Sequence, residues 1–157
     1  MDSKSKTAAP AGAALTTVRH TVAFYETDAM GVVHHSNYLR FLEHARVQFL
    51  ADHDRAYIEY VNEGFHVPVT RASVSYKWPC RFADEVDVSC WLSWARHASF
   101  GFAYRLEVSG RLVALAETDH AIVDLAGRPT RIPEAMRARM DGWFGTRAAS
   151  APAKEPT

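Results

Sequence analysis

The sequence has few cysteines, no long hydrophobic run and no excess of charge of either sign, and each of these absences excludes a class of protein. Cys80 and Cys90, the 2 cysteines among 157 residues, are too few for a disulfide-stapled scaffold and lack metal-site spacing. No stretch approaches the ~20 consecutive apolar residues of a membrane-spanning helix. The 18 basic residues balance 18 acidic ones, whereas nucleic-acid-binding proteins normally carry a basic excess. We therefore expect a cytoplasmic protein with no membrane span that binds no nucleic acid.

The two ends of the chain are rich in alanine, proline and other small residues, and they show no apolar periodicity. This composition predicts a disordered leader over residues 1–16 and a disordered tail over residues 145–157. The leader also lacks the apolar central run of a signal peptide. The remaining segment, 17–144, has the length of one domain, and a hydrophobic fraction of 48% for the whole chain is sufficient for a packed core.

Alternation of apolar and polar residues dominates this domain and predicts β-strands. The alternating segments are 18–24, 67–78, 85–95, 100–108 and 112–125. Ser109 and Gly110 form a hairpin signal between the last two segments. Because the later segments are joined by short turns, we expect them to be antiparallel neighbours in one sheet.

Two segments have helical periodicity. In residues 37–54 the apolar side chains form one stripe, and Ser36 precedes it as a plausible N-cap. A shorter helix is predicted from Pro133 to about Trp143, since proline suits the first turn of a helix. The whole pattern predicts an α+β fold in which about five antiparallel strands pack around one long helix.

One helix can cover only part of such a sheet. Trp91, Gly101 and Ala103 are aromatic or small residues on the strand faces that point away from the helix. We interpret them as a surface that a partner subunit covers.

The loop between the first strand and the long helix contains Asp28 and Gly31. Most loop aspartates form Asx turns, in which the side chain accepts a backbone N–H two residues further on. Alternatively, a carboxylate near a helix N-terminus can act as a nucleophile or general base, because the free N–H groups there stabilise an oxyanion. The position of Asp28 fits both interpretations.

His34 and His35 raise the alternative of a metal site, with His20, His44 or Asp28 as further ligands. Adjacent side chains generally point apart, and the sequence contains no HExxH or CxxC pattern. We therefore interpret both histidines as polar loop residues and expect neither a metal nor an organic cofactor.

Glu43 and Arg46 lie at the edge of the apolar stripe of the long helix. Their spacing predicts a structural ion pair at a partly buried helix edge. Glu43 is also the second candidate for a catalytic carboxylate, because few other acidic residues lie near the buried face.

The segment from Tyr25 to Arg46, YETDAMGVVHHSNYLRFLEHAR, resembles the signature of hotdog-fold acyl-CoA thioesterases of the 4-hydroxybenzoyl-CoA thioesterase/YbgC type. Pro79, Arg81 and Asp84 also fit the later P-x-R-x-x-D segment of that family. The order of the predicted elements agrees as well. The resemblance therefore covers the predicted domain and implies a hotdog fold, in which the sheet wraps around one long central helix.

The resemblance implies a role for each matching residue. Asp28 corresponds to the family's catalytic aspartate, and the backbone N–H of His35 corresponds to its oxyanion donor, although the His35 imidazole could instead contact the acyl group. Gly31, Asn37, Tyr38 and Tyr25 are then candidates for binding substrate. Because the family's active site lies between two subunits, we expect a homo-oligomer, either a dimer or a dimer of dimers such as a homotetramer.

Coenzyme A is strongly anionic, and the family holds it with basic and polar residues outside the acyl pocket. The candidates in this chain are Arg96, His97, Ser99, Arg128 and Arg131. Each arginine is equally compatible with an ordinary solvated surface residue.

The predicted reaction is hydrolysis of an acyl-CoA, with a short-chain aliphatic or aroyl group, to a free acid and CoA. Asp28 either attacks the thioester carbonyl or deprotonates water, and the sequence does not distinguish these routes. Two alternatives remain: a thioesterase acting on acyl carrier protein, and a non-catalytic module that binds acyl thioesters. A hotdog hydratase is disfavoured because its characteristic motif is absent from the sequence.

Overall fold

A computed structural model describes residues 7–145. Their elements are, in chain order, β1 (Thr16–Thr21), α1 (Asn37–His53), α2 (Tyr57–Asn62), β2 (Phe65–His66), β3 (Val69–Tyr76), β4 (Glu85–Ala95), β5 (Ser99–Val108), β6 (Arg111–Ala121), β7 (Val123–Asp124) and α3 (Glu134–Asp141). A short 3-10 turn, Phe24–Glu26, lies between β1 and α1. The structure is thus mixed helix and sheet, and no helix in the described part of the chain is long and apolar enough to cross a membrane.

Five strands form one antiparallel sheet in the order β1-β4-β5-β6-β3. The prediction of an antiparallel sheet is confirmed. The expectation that consecutive strands are neighbours is wrong for β3 and β4, because β3 pairs with β6 at the sheet's edge and β4 lies between β1 and β5. The segment between β3 and β4 therefore crosses from one side of the sheet to the other.

The strand register defines a proximal and a distal end of the sheet. At the proximal end, Tyr76 of β3 lies beside Ala114 of β6. At the distal end, Val69 of β3 lies beside His120 of β6. The turn from β5 to β6 is at the proximal end and has positive φ angles at both Ser109 (49°) and Gly110 (76°), as a type I′ hairpin turn requires.

The core lies between α1 and the inner face of the sheet. The buried stripe of α1 contains Tyr38, Phe41, Leu42, Ala45, Phe49 and Leu50. Phe49 packs edge to face on Phe102 of β5, with ring centroids 5.1 Å apart. The predicted helix position is confirmed to within one residue. Ser36 precedes the helix but does not cap it, since its hydroxyl lies 2.7 Å from the His34 Nδ1 atom.

Parts of the chain fall outside the sheet and the core. Residues 1–6 and 146–157, which hold most of the predicted tail and part of the leader, lie outside the described residues. Within the leader, the Ala14 N–H donates to the Trp143 carbonyl oxygen (3.0 Å).

On the outer face of the sheet, Trp91 and Ala103 are each 1% exposed in the single chain. They therefore do not provide the open surface from which we inferred a partner.

Candidate active site

A cleft of about 310 Å³ opens at the proximal end of the sheet. Its walls come from the loop before α1, the first turn of α1 and the segment that follows β3. The lining residues are Asp28, Met30, Val32, Val33, His35, Tyr38, Tyr76, Lys77, Trp78 and Pro79. We call this the proximal cleft. It contains Asp28, His35 and Tyr38, three of the residues that the sequence singles out.

Asp28 occupies a tight turn on the cleft wall. Its Oδ1 atom accepts the Met30 N–H (2.8 Å), and its carbonyl oxygen accepts the Gly31 N–H (2.9 Å). Gly31 has a φ of +73°, which glycine adopts without strain. The Asx-turn interpretation of Asp28 is confirmed, and this turn fixes the carboxyl group of a residue that lines the cleft. The catalytic role of Asp28 stays a prediction.

The start of α1 has a free backbone donor on His35, a residue that lines the same cleft. The His34 N–H donates to the Glu26 carbonyl oxygen (2.8 Å), and the Asn37 N–H donates to the His34 carbonyl oxygen (3.0 Å). Among the described residues, nothing accepts the His35 N–H. A free N–H at a helix N-terminus can stabilise an oxyanion.

Two tyrosines form the wall between α1 and the sheet. Tyr38 is 3% exposed, and Tyr76 packs edge to face on it with ring centroids 4.9 Å apart. The Tyr76 hydroxyl donates to the His35 carbonyl oxygen (3.1 Å). Burial raises the pKa of both hydroxyls, and the Cys80 thiol beside Tyr38 adds to the effect there. Both hydroxyls are therefore protonated donors at neutral pH.

Other predicted substrate-binding residues take different positions. The Asn37 side-chain amide donates to the Glu26 carbonyl oxygen (2.8 Å), so it ties α1 to the preceding turn and does not line the cleft. Tyr25 is 76% exposed and lies outside the lining set. Gly31 shapes the Asp28 turn and is likewise not a lining residue.

The predicted CoA-binding residues lie mainly at the other end of the sheet. A groove of about 870 Å³ there is lined by Arg96, His97, Arg131, Ile132, Pro133, Glu134 and Arg137. We call this the distal groove. Ser99 supports it through its carbonyl oxygen, which accepts the Arg96 N–H (2.8 Å). Arg128 is absent from the groove, and its guanidinium pairs with Asp124 (2.8 Å). Within one chain, the distal groove and Asp28 lie apart.

The predicted ion pair on α1 does not form. Glu43 is exposed, whereas Arg46 is buried, and no ion pair of Arg46 occurs within residues 7–145. The Arg46 guanidinium instead lies 5.7 Å from the ring centroid of Tyr57. The two residues diverge because Arg46 points into the core side of the helix and Glu43 points to solvent.

The rings of His34 and His35 do not point apart as expected. Their centroids are 4.1 Å apart and their planes differ by 33°, so the two imidazoles pack against each other. Within the described part of the chain, no three His, Cys, Asp or Glu side chains are grouped closely enough to hold a metal ion.

Tyr76 and Lys77 line the cleft, although neither belongs to a motif that predicts a site. Both stand at the end of a predicted strand, just before the Pro79 of the P-x-R-x-x-D segment, which is the one signal that could have drawn attention to them. Lys77 is joined near the cleft by Arg111, whose guanidinium lies 4.4 Å from the Trp78 ring centroid. Neither Lys77 nor Arg111 forms an ion pair inside residues 7–145.

Comparison with known proteins assigns the chain to a family. The model of a family described as the thioesterase-like superfamily matches residues 22–140. The 1,4-dihydroxy-2-naphthoyl-CoA hydrolase of Thermosynechococcus vestitus is 32% identical over 117 residues, which cover 73% of this chain and 80% of that protein. The acyl-CoA thioester hydrolase YbgC of Escherichia coli O157:H7 is 29% identical over 119 residues, covering 74% of this chain and 89% of that one.

A solved structure agrees with these sequence matches. The crystal structure of the hypothetical protein TT1821 from Thermus thermophilus superposes with a TM-score of 0.78 at 34% sequence identity. The superposition covers 83% of this chain and 98% of that one.

Proposed function

Because the chain belongs to the thioesterase-like superfamily, we propose that it is a thioester hydrolase that converts an acyl-CoA to a free acid and CoA. The observation that supports this most directly is the proximal cleft, which Asp28 and His35 line together. Thioester hydrolysis needs an attacking group and a donor for the carbonyl oxygen, and these two residues supply one of each.

In the proposed reaction the substrate carbonyl oxygen accepts the His35 N–H at the start of α1. The positive end of the helix dipole adds to this stabilisation as negative charge develops on the oxygen. The Asp28 carboxylate either attacks the carbonyl carbon, forming a mixed anhydride that water then hydrolyses, or removes a proton from the attacking water. In both routes the C–S bond breaks and CoA leaves as the thiol.

The walls of the proximal cleft suit a short or aromatic acyl group. Val33, Tyr38 and Trp78 present apolar surface beside Asp28, and the cleft volume of about 310 Å³ is that of a small-molecule site. We propose a short-chain aliphatic or aroyl group as the acyl part of the substrate.

We also propose that α1 is the central helix of a hotdog fold. It is the longest helix among the described residues, and its buried stripe faces the sheet. In the family the active site lies between subunits, so we propose a homo-oligomer in which a partner copy completes the proximal cleft. A cytoplasmic location fits the free thiols of Cys80 and Cys90.

The decisive experiment replaces the carboxylate with its amide. Thiol release from a panel of acyl-CoAs is followed with a thiol reagent, for the wild type, D28N and H35A. We expect D28N to lose activity by at least about 100-fold, since it removes both a nucleophile and a base. H35A keeps the backbone N–H and is expected to lose much less.

Two controls give the result its meaning. Asn37 is unsuitable as a control, because its side chain holds the start of α1 although it lies outside the cleft. Arg40→Gln, at an exposed position in the same turn of α1, is therefore the matched control. Turnover of the same acyl group on acyl carrier protein distinguishes the two substrate classes. An unchanged rate in D28N would exclude Asp28 as the catalytic carboxylate, and thioester binding by the wild type without turnover would favour a binding module.

A further inference from the structure

One side chain joins the edge strand of the sheet to the start of α1 at the proximal cleft. Tyr76 is the last residue of β3, and its hydroxyl donates to the His35 carbonyl oxygen (3.1 Å). The ring is fixed from the side by Tyr38, with centroids 4.9 Å apart. The hydroxyl therefore has a defined direction, although half of the side chain is exposed.

The two peptide groups that meet at the His35 Cα are held by hydrogen bonds, and the His35 N–H belongs to the first of them. On the preceding side, the His34 carbonyl oxygen accepts the Asn37 N–H (3.0 Å). On the following side, the His35 carbonyl oxygen accepts the Tyr76 hydroxyl and, more weakly, the Tyr38 N–H (3.4 Å). Of the two hydrogen bonds to the His35 carbonyl oxygen, the one from the Tyr76 hydroxyl is the shorter.

We propose that Tyr76 is a positioning residue for the oxyanion donor: its hydroxyl anchors the peptide group between His35 and Ser36, and this holds the backbone of His35, with its N–H, at the wall of the proximal cleft. The inference rests on the proposed function. Preorganised donors are effective because they need no rearrangement when charge develops, and a small misplacement of a donor weakens its effect on the transition state. The hydroxyl acts through His35 and is not required to touch the substrate.

Y76F tests this, because it removes the hydroxyl and keeps the ring on Tyr38. We expect kcat to fall about 10-fold while KM stays within about twofold, since the donor matters most in the transition state. The affinity for CoA and the melting temperature should be unchanged. The matched control is Y57F, which also removes a hydroxyl bonded to backbone (the Val67 N–H, 3.1 Å) but at α2, away from the cleft.

A second measurement does not depend on activity. Backbone ¹H–¹⁵N resonances of His35 and Ser36 should shift in Y76F and not in Y57F, because only Y76F frees the His35 carbonyl. Unchanged resonances would overturn the inference, and a drop in kcat without a shift would make Tyr76 a substrate contact. If the wild type hydrolyses no thioester, the proposed function fails, while the resonances still decide whether Tyr76 holds His35.

Discussion

Several single residues in the interior combine full burial with a polar group. His120 of β6 is 0% exposed, and its Nε2 atom lies 2.7 Å from the Thr118 Oγ1 atom. Thr118 Oγ1 in turn lies 2.8 Å from the Tyr104 hydroxyl. Burial, and to a smaller extent the charge of Arg46, lowers the pKa of His120 from 6.5 to about 3. The folded protein therefore holds this imidazole neutral.

This depressed pKa predicts acid sensitivity of the fold. Between pH 6.5 and about 3, the unfolded chain binds a proton on His120 that the folded chain does not. The contribution is fully present above pH 6.5 and is lost as pH falls, by about 1.4 kcal/mol of unfolding free energy per pH unit. We expect H120Q to lose stability less steeply than the wild type when urea unfolding is measured from pH 7 to pH 4.

The comparison uses the slope of unfolding free energy against pH, because H120Q also changes the packing, and hence the stability, at every pH. His44→Gln removes a solvent-exposed histidine of α1 and should follow the wild-type slope. Equal slopes of unfolding free energy against pH for the wild type and H120Q would show that His120 binds its proton equally in the folded and unfolded states.

At the scale of elements, α1 anchors the core through Phe49. This side chain is 0% exposed and packs edge to face on both Phe102 of β5 and Trp143 after α3, at 5.1 and 5.4 Å between centroids. We expect F49A to lose about 3–5 kcal/mol of unfolding free energy, because it leaves a cavity between three elements. Urea denaturation at one fixed protein concentration measures this loss.

Leu39 provides the comparison on the same helix. It is 47% exposed, so L39A should cost about 1 kcal/mol or less. Equal losses for the two variants would mean that the helix contributes through its backbone and not through the packing of its buried stripe.

The elements that sequence periodicity predicts well are those whose pattern is local and long. The bounds of α1 and β4 follow directly from the 3.6-residue stripe and the two-residue alternation. By contrast, α2 and β2 were not predicted, since 6 and 2 residues are too few to establish a period. The pairing of β3 with β6 was also missed, because it depends on contacts between segments far apart in the chain.

The same limit applies to the candidate site. Asp28, His35 and Tyr38 share one continuous segment, so the sequence predicts that they lie together. Tyr76 reaches them only through the placement of β3 at the sheet's edge, which no local pattern reveals. Arg128 was assigned to CoA, although Asp124 lies four residues before it and the two side chains pair.

For the whole molecule, the main geometric fact is that the proximal cleft and the distal groove lie at opposite ends of one sheet. They are separated by roughly 20 Å along β6 at 3.4 Å per residue. β3 is an edge strand. If two copies pair through β3 about a two-fold axis, the strands run antiparallel, and the distal end of one copy lies beside the proximal end of the other. The distal groove, which Arg96 and Arg131 line, would then lie at the same end of the paired sheets as the partner's proximal cleft.

This arrangement predicts complementation between two defective variants. D28N lacks the carboxylate, and a double variant, R96Q with R131Q, lacks cations that would hold CoA phosphates. When they are co-expressed, a mixed dimer contains one site with both parts intact. Random assortment should therefore restore about a quarter of wild-type activity at subsaturating acyl-CoA, although each variant alone is nearly inactive. Mixing the two purified variants without subunit exchange is the control.

An acyl-pantetheine substrate tests whether the effect of the two arginines depends on the nucleotide phosphates, because pantetheine lacks them. The R96Q, R131Q double variant should hydrolyse it as well as the wild type does, because the distal cations act on phosphate and not on the thioester. Failure to complement, together with an unchanged KM for acyl-CoA in the double variant, would contradict the shared site. The groups that hold the phosphates would then be Lys77 and Arg111, the cations at the proximal cleft of the same chain. In that case the K77Q, R111Q double variant should raise KM for acyl-CoA and leave KM for the pantetheine thioester unchanged.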